Sequence, residues 1–268
     1  MTGLQDISEK IEREALQSLH RNCPVEARDG LGLYLEQHVD VCVAIAEHEP
    51  SILINRALGL GTRSPVTLKT IQAVVSAYAI HNIRRYFFHV YPDTISDRSW
   101  LEQAGLEKAR GWMKFQRGAE MPPAAKTDLR IERIGQRHAH SFGRIVCNAF
   151  GMSERAIPLL AGLVHDERWH VYLSFDGETP AGAGALFLHD GYAWLEWGAT
   201  APDFRRRGSQ GAIMEARIRA ALDHGCSHMF TETGEAAGAD PQHSYGNILR
   251  FGFEAAVLRE NWTIALEP

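Results

Sequence analysis

The stretch that decides the fold runs from Trp194 to Ala212, WLEWGATAPDFRRRGSQGA. An apolar run, Tyr192–Ala199, reads as a strand that carries a single carboxylate, Glu196, and ends at a turn marked by Pro202. Three arginines follow (Arg205, Arg206, Arg207), and Gly208 and Gly211 then open a helix whose apolar stripe is Met214, Ile218, Ala221 and Leu222. Glycine at a helix start lets the backbone come close to a ligand. The N–H groups of the first turn have no partner inside the helix, and the positive end of the helix dipole lies there. Phosphate oxygens suit such a place, and arginines at its entrance add charge-assisted hydrogen bonds. The segment therefore reads as a pyrophosphate cradle made mostly of backbone. It has neither the GxxxxGK[ST] spacing nor the GxGxxG spacing of other phosphate-binding loops.

Working outward, His228–Thr233 reads as the next strand, Ser244–Arg250 as a helix, Phe251-Gly252-Phe253 as a turn, and the chain to Leu266 as a closing strand. The same order occurs earlier. Ile52–Leu60 leads through GTRSP into a helix striped by Leu68, Ile71, Val75 and Tyr78. A strand at Tyr86–Tyr91, a helix at Ser96–Ala104 and a closing strand at Trp112–Gln116 follow. Between the two sets lies GAEMPPAAKTD, Gly118–Asp128, with paired prolines and no hydrophobic period. The expectation is a duplicated α/β (α+β) fold: residues 1–118, a linker at 119–128, and residues 129–268. Each half should hold a mixed sheet flanked by helices.

Strand, Pro-x-x-Arg-Arg-x-Gly-like loop and alanine-rich helix together resemble the acetyl-CoA-binding motif of the GNAT N-acetyltransferases, Arg/Gln-x-x-Gly-x-Gly/Ala. Arg205, Gly208 and Gln210 stand at the marked positions, so the last departs from the pattern, with Gly211 one residue later. The Phe251-Gly252-Phe253 turn matches the family's Leu-Gly-Phe-like turn, and the resemblance covers Leu129 to Leu266. It implies two GNAT-like domains with mostly antiparallel sheets, the first without a cofactor loop because Gly59–Pro65 lacks the spacing. It also implies that the strand Met229–Thr233 splays from its neighbour to admit the pantetheine arm. Contacts to acetyl-CoA are implied for Ala199, Thr200, Ala201, Arg205, Arg206, Arg207, Gly208, Ser209, Gln210, Gly211, Ala212 and Thr233, with Ser244 and Asn247 as polar contacts to the arm. In layout the chain is similar to the mycothiol synthases.

The activity implied is direct acyl transfer from acetyl-CoA to an amine of a small molecule or peptide. Such chemistry asks for a base, a donor to the acyl carbonyl and an acid for the leaving thiolate. Glu196 interrupts an apolar strand, where burial would raise its pKa toward neutrality, and is the first candidate for the base. Glu232, in FTETG, is the second. The carbonyl donor implied by the family is a backbone N–H near Ala199. The tyrosine that many members use as acid falls here on Ile248; Tyr245, about one helical turn earlier, is the candidate in its place. A protein that binds acyl-CoA as a sensor or scaffold without turnover is the alternative reading.

Bulk properties set the bounds. Apolar residues make up 45% and charged residues 23%, with a net charge of −5, so nothing global favours nucleic acid or an anionic membrane as partner. Cys23, Cys42, Cys147 and Cys226 are scattered without metal-ligand spacing and read as buried thiols of a cytoplasmic protein. The thirteen histidines include no HExxH, and no metal is expected. Three roles are open to the first half: closing the acceptor pocket, forming a homodimer face, or stabilising the second half.

Overall fold

A computed structural model describes residues 3–236 and 243–264. The first half comprises helices α1 (Gly3–Arg21) and α2 (Val25–Leu31) and strands β1 (Leu33–His38), β2 (Val41–Ala46) and β3 (Arg56–Leu58). Helix α3 (Leu68–Ile80), β4 (Phe87–Val90), α4 (Ser99–Gln103) and β5 (Leu106–Arg117) complete it. The second half runs β6 (Arg130–Arg133), α5 (Gln136–Phe150), α6 (Ile157–Ala161), β7 (Trp169–Asp176), β8 (Thr179–His189) and β9 (Tyr192–Thr200). It ends with α7 (Ser209–Asp223), β10 (His228–Gly234), α8 (His243–Arg250) and β11 (Glu254–Ile264).

The described strands form one sheet in the order β1-β2-β3-β4-β11-β5-β10-β9-β8-β7-β6. Only β3–β4 and β9–β10 are parallel; the other neighbours are antiparallel. The halves exchange their closing strands: β5 pairs with β10 of the second half, and β11 with β4 of the first. The exchange sets Lys114 of β5 directly opposite Glu232 of β10.

Period-two alternation in the strands separates two layers of helices. Ala44, Ala185, Phe187, Trp194 and Phe230 face one layer, α1, α5 and α6. On the other side, Val43 and Ile45 meet α3, while Leu186, Leu195 and Met229 meet α7 and α8. Helix α3 starts at the cap Thr67, whose hydroxyl accepts from Thr70 N–H, and it buries Ile71, Val74, Ala77 and Tyr78. That face is rotated slightly from the expected one, leaving Leu68 and Val75 half-buried. Helix α7 buries Met214, Ile218 and Ala221 as expected. The strand expected from Ile52 begins only at Arg56. Its first residues form a turn because the Asn55 amide takes over two backbone partners, accepting from Ala46 N–H at 2.7 Å and donating to Glu49 C=O at 2.6 Å.

Helix α1 is the least ordinary element. Its Ile11, Ala15, Leu16 and Leu19 are core residues, yet Glu9 and Glu12 are buried beside them, at 2% and 0% exposure. His20, on the same helix, is buried with no partner for either ring nitrogen. Burial, then the Arg56 and Arg28 charges, push its pKa down to about 3. The unfolded chain protonates this ring near pH 6.5 and the folded chain does not, so its contribution to stability is full above pH 6.5 and is lost as the pH falls toward 3. At pH 5 the loss amounts to about 2 kcal/mol. Denaturant unfolding of the wild type and of His20→Leu at pH 7 and pH 5 should show a pH-dependent drop smaller by about that amount in the variant; equal drops would count against it.

Candidate active site

Where β9 and β10 separate, the second half opens. They pair only from His228↔Tyr192 to Phe230↔Trp194, and Thr231 Oγ1 closes the join by donating to Leu195 C=O at 2.7 Å. Beyond that point β9 runs on to Thr200 and β10 to Gly234 unpaired with each other. A bulge at the opening lets Glu196 face Ala185 while Ala199 faces Ala183, and Trp197 takes a left-handed φ of 58°. The buried Arg217 of α7 holds this bulge: its Nη1 donates to Ala185 C=O and to Glu196 C=O, both at 3.1 Å. Burial draws its pKa down to about 10, well above neutral pH, so it stays charged.

The ladder decides which backbone donors face the opening. Ala201 N–H donates to Ala181 C=O, so by antiparallel alternation Ala199 also turns its N–H to β8. Thr200 turns its N–H toward the side that β10 has left. The donor that faces the opening is thus Thr200 N–H, next to Ala199 and not on it.

At the end of β9 the loop passes through the short helical turn Pro202–Phe204 to Gly208, the N-cap of α7, with φ 83°. The first backbone bond of α7 runs from Ala212 N–H to Gly208 C=O, which spends the Ala212 donor and leaves those of Ser209, Gln210 and Gly211 outside the helix. The helix reaches this close because β8 is bare beneath it. A Cβ on Gly182 would lie 2.1 Å from Ser209 Oγ, and one on Gly184 2.6 Å from Ile213 Cγ2. Two glycines at alternate positions of Thr179–His189 were the available signal for this contact.

The side chains around the cradle divide by task. Arg205 and Arg206 are exposed and form no ion pair among the described residues. Arg207 turns away, to Asp128 and to Asp176 at 2.8 Å, and fastens the loop. Ser209 Oγ is buried against Ser174 Oγ at 2.8 Å, which leaves only its backbone N–H for a ligand. Gln210 folds back, its Nε2 donating to Thr200 Oγ1 at 3.1 Å. The linker is docked here: Ala125 N–H donates to Glu215 at 2.7 Å, and Thr127 Oγ1 donates to Arg207 C=O at 2.7 Å.

On the α1 face of the opening lies a buried charge cluster assembled from both halves. Glu12 receives Arg56 at 2.9 Å, Lys114 at 2.5 Å and Arg259 at 2.6 Å. Glu232 receives Arg259 at 2.7 Å, Lys114 at 3.2 Å and Arg56 at 3.3 Å. Glu9 takes Arg259 at 3.1 Å. Burial alone would raise Glu12, but Arg259, Lys114 and Arg56 outweigh it and hold its carboxyl well below the usual range. In Glu232 burial prevails over the same cations and the pKa rises.

Glu196 differs from both. Its Oε2 accepts the Trp194 indole N–H at 3.0 Å and lies 3.7 Å from Arg56, while its Oε1 is buried with no partner. Burial pushes its pKa up to about 7 against the pull of Arg56. The two expected carboxylates thus share one face, but only Glu196 has an unengaged oxygen and a proton affinity near neutrality. Tyr245 lies on the other face, half-buried and edge-on to Phe115 with centroids 4.8 Å apart. Ser244 is exposed, Asn247 Oδ1 accepts from Arg250 at 3.3 Å, and Thr233 lies on the part of β10 that has left β9 while still pairing with β5. Among the described residues no three His, Cys, Asp or Glu side chains are grouped to hold a metal ion, and no helix is long and apolar enough to cross a membrane.

Residues 144–245 match the family model for the acetyltransferase (GNAT) family. The second half holds a GNAT domain. Solved structures with the same fold include a GCN5-related N-acetyltransferase from Kribbella flavida, with a TM-score of 0.66 at 13% identity over 97% of this chain and 96% of that one. One from Sphaerobacter thermophilus gives 0.61 at 15% identity, over 88% and 82%. A tandem GNAT protein from the clavulanic acid biosynthesis pathway, solved without AcCoA, gives 0.54 at 12%, over 85% and 79%. No curated protein matches the sequence.

The first half repeats the element order of the second with its opening filled. β3 and β4 pair at only two positions before parting. Gly59 lies nine residues before its helix start, as Thr200 does before the start of α7. Its N–H donates to buried Glu9 Oε1 at 2.6 Å. Arg63 N–H is taken by Asp40 at 3.1 Å and Thr70 N–H by the Thr67 cap at 3.1 Å. Gly59 N–H and Thr70 N–H are thus satisfied internally, where Thr200 and Gly211 at the corresponding places of the second half lie open.

Proposed function

We propose that the chain is an acetyl-CoA-dependent N-acetyltransferase that acts on an amine of a small molecule or peptide, with the cofactor held by the second half alone. One observation carries this reading: the opening between β9 and β10 joins a helix start with three unspent N–H groups to a buried carboxylate with an unpartnered oxygen. The N–H groups of Ser209, Gln210 and Gly211 would hold pyrophosphate oxygens, with Arg205 and Arg206 at the entrance. When bound, acetyl-CoA supplies the activated acyl carbon.

The chain's own groups then have distinct tasks. Thr200 offers a backbone N–H donor along the opening, where an acyl carbonyl can be polarised. Glu196 Oε1 takes a proton from the acceptor ammonium, and its pKa near 7 suits that transfer at neutral pH. Glu232, clasped by three cations, holds the cluster together. Tyr245 is the hydroxyl on the far face that can return a proton to the leaving thiolate.

Calorimetry with acetyl-CoA, followed by CoA release over a panel of amines, tests the reading. Micromolar binding at one equivalent per chain is expected, because the first half already takes up its Gly59, Arg63 and Thr70 N–H groups internally. Two equivalents would contradict the assignment of one filled copy, and no binding would sink the transferase. Binding without CoA release for any amine would leave an acyl-CoA sensor in its place.

A further inference from the structure

The first half sends one charged group into contact with Glu196. Arg56, on β3, is 3% exposed; its Nη1 holds Glu12 at 2.9 Å and Glu232 at 3.3 Å, and its Nη2 lies 3.7 Å from Glu196 Oε2. The indole of Trp194 donates to the same oxygen, and Lys114 Nζ sits 4.0 Å above the Trp194 ring. Oε2 therefore takes the indole hydrogen bond and faces the Arg56 charge, and Oε1 alone is left for a proton. The other charges around this point are Glu9 and Glu12 from α1, Lys114 from β5, Glu232 from β10 and Arg259 from β11. Arg217 of α7 reaches the Glu196 carbonyl from the opposite layer. Four carboxylates thus meet three cations in the cluster, so one carboxylate can carry a proton without leaving a buried charge unbalanced.

We infer that Arg56 is a positioning residue for Glu196, and that the first half is retained in part to supply it. The guanidinium faces Oε2, completes the charge balance of the cluster and sets the pH at which Oε1 is free to accept a proton. This gives the first half a role beyond those of pocket wall, dimer face or buttress. It rests on the assignment of Glu196 as base for its catalytic meaning, but the electrostatic link itself does not.

The test is a direct titration of Glu196 by carbon-13 NMR of protein labelled at the glutamate carboxyl, with the resonance assigned through Glu196→Gln. The wild-type midpoint should lie near 7. Arg56→Gln should move it up by about one pH unit or more, the usual effect of losing an opposite charge at this range. Arg56→Gln leaves buried carboxylates short of a partner and is the variant most exposed to misfolding. The double variant Arg56→Gln/Glu12→Gln keeps the net charge and should shift the midpoint the same way but by less, because the Glu12 charge it also removes pushes Glu196 upward. Arg56→Lys keeps the buried charge, but its single ammonium cannot hold Glu12 and reach Glu196 together; a smaller upward shift is expected. Calorimetry with acetyl-CoA reports whether each variant retains the distant cradle. A midpoint unmoved in the variants that fold overturns the inference. A midpoint that moves while Glu196→Gln leaves CoA release untouched would instead overturn the role of Glu196 as base.

Discussion

Glu196→Gln should lower kcat for amine-dependent CoA release by about 10²- to 10⁴-fold, the usual contribution of a positioned general base. In the wild type kcat/KM should rise with pH through a midpoint near 7, because only ionised Glu196 can accept the proton. The variant should lose that acid limb. Affinity for acetyl-CoA should change little, since the cradle donors lie on the helix start and not on the carboxylate. Stability supplies a control of opposite sign. Glu196 is raised in the folded state, so its favourable protonated form is fully present below the carboxyl pKa of the unfolded chain, near 4.3, and is lost as pH rises through 7. Above pH 7 the folded wild type therefore carries an ionisation cost of about 4 kcal/mol that glutamine avoids. A variant that is slow yet at least as stable at pH 8 would fit a catalytic group. One that is fast and retains the acid limb would remove Glu196 from the chemistry.

What the sequence disclosed and what it withheld have a common physical cause. The cradle is contiguous: strand, Pro202 turn, arginines and Gly208 lie within twenty residues, and each is readable from local backbone chemistry. The duplicated order was visible for the same reason, since each half repeats a local alternation of strand and helix. The exchange of β5 and β11 was not visible, because crossing two closing strands leaves the order of elements unchanged. Glu12, Arg56, Lys114 and Arg259 come from four elements spread over most of the chain. Read locally, Glu12 belongs to the polar side of an amphipathic helix, and only the fold shows that α1 is buried on that side as well. One signal was available, the same that singled out Glu196: Arg56 and Lys114 each interrupt an apolar, strand-like segment. The arginine triplet errs the other way, since adjacency suggests a common task while Arg207 is tied back to Asp128 and Asp176.

Gly208→Glu should abolish detectable acetyl-CoA binding, a loss of at least about 100-fold or ~3 kcal/mol. Three effects act together at this position. Its φ of 83° is a left-handed conformation that side chains other than glycine adopt at a cost of about 1–3 kcal/mol. A Cβ there would stand 2.1 Å from Lys126 C=O, so the docked linker would have to move. A carboxylate would also be placed where phosphate oxygens are to be held, adding repulsion to the lost donors. Gly208→Ala separates the terms: it keeps the strain and the collision with the linker but adds no charge, so it should weaken binding less and lower the melting temperature to a similar degree. Arg205→Ala removes one exposed charge and no backbone donor, and should cost tenfold or less, about 1.4 kcal/mol. That ranking follows from a cradle built of backbone. If Arg205→Ala cost more than Gly208→Glu, the anion would be held by side chains at the loop, and the helix start of α7 would no longer be its binding site.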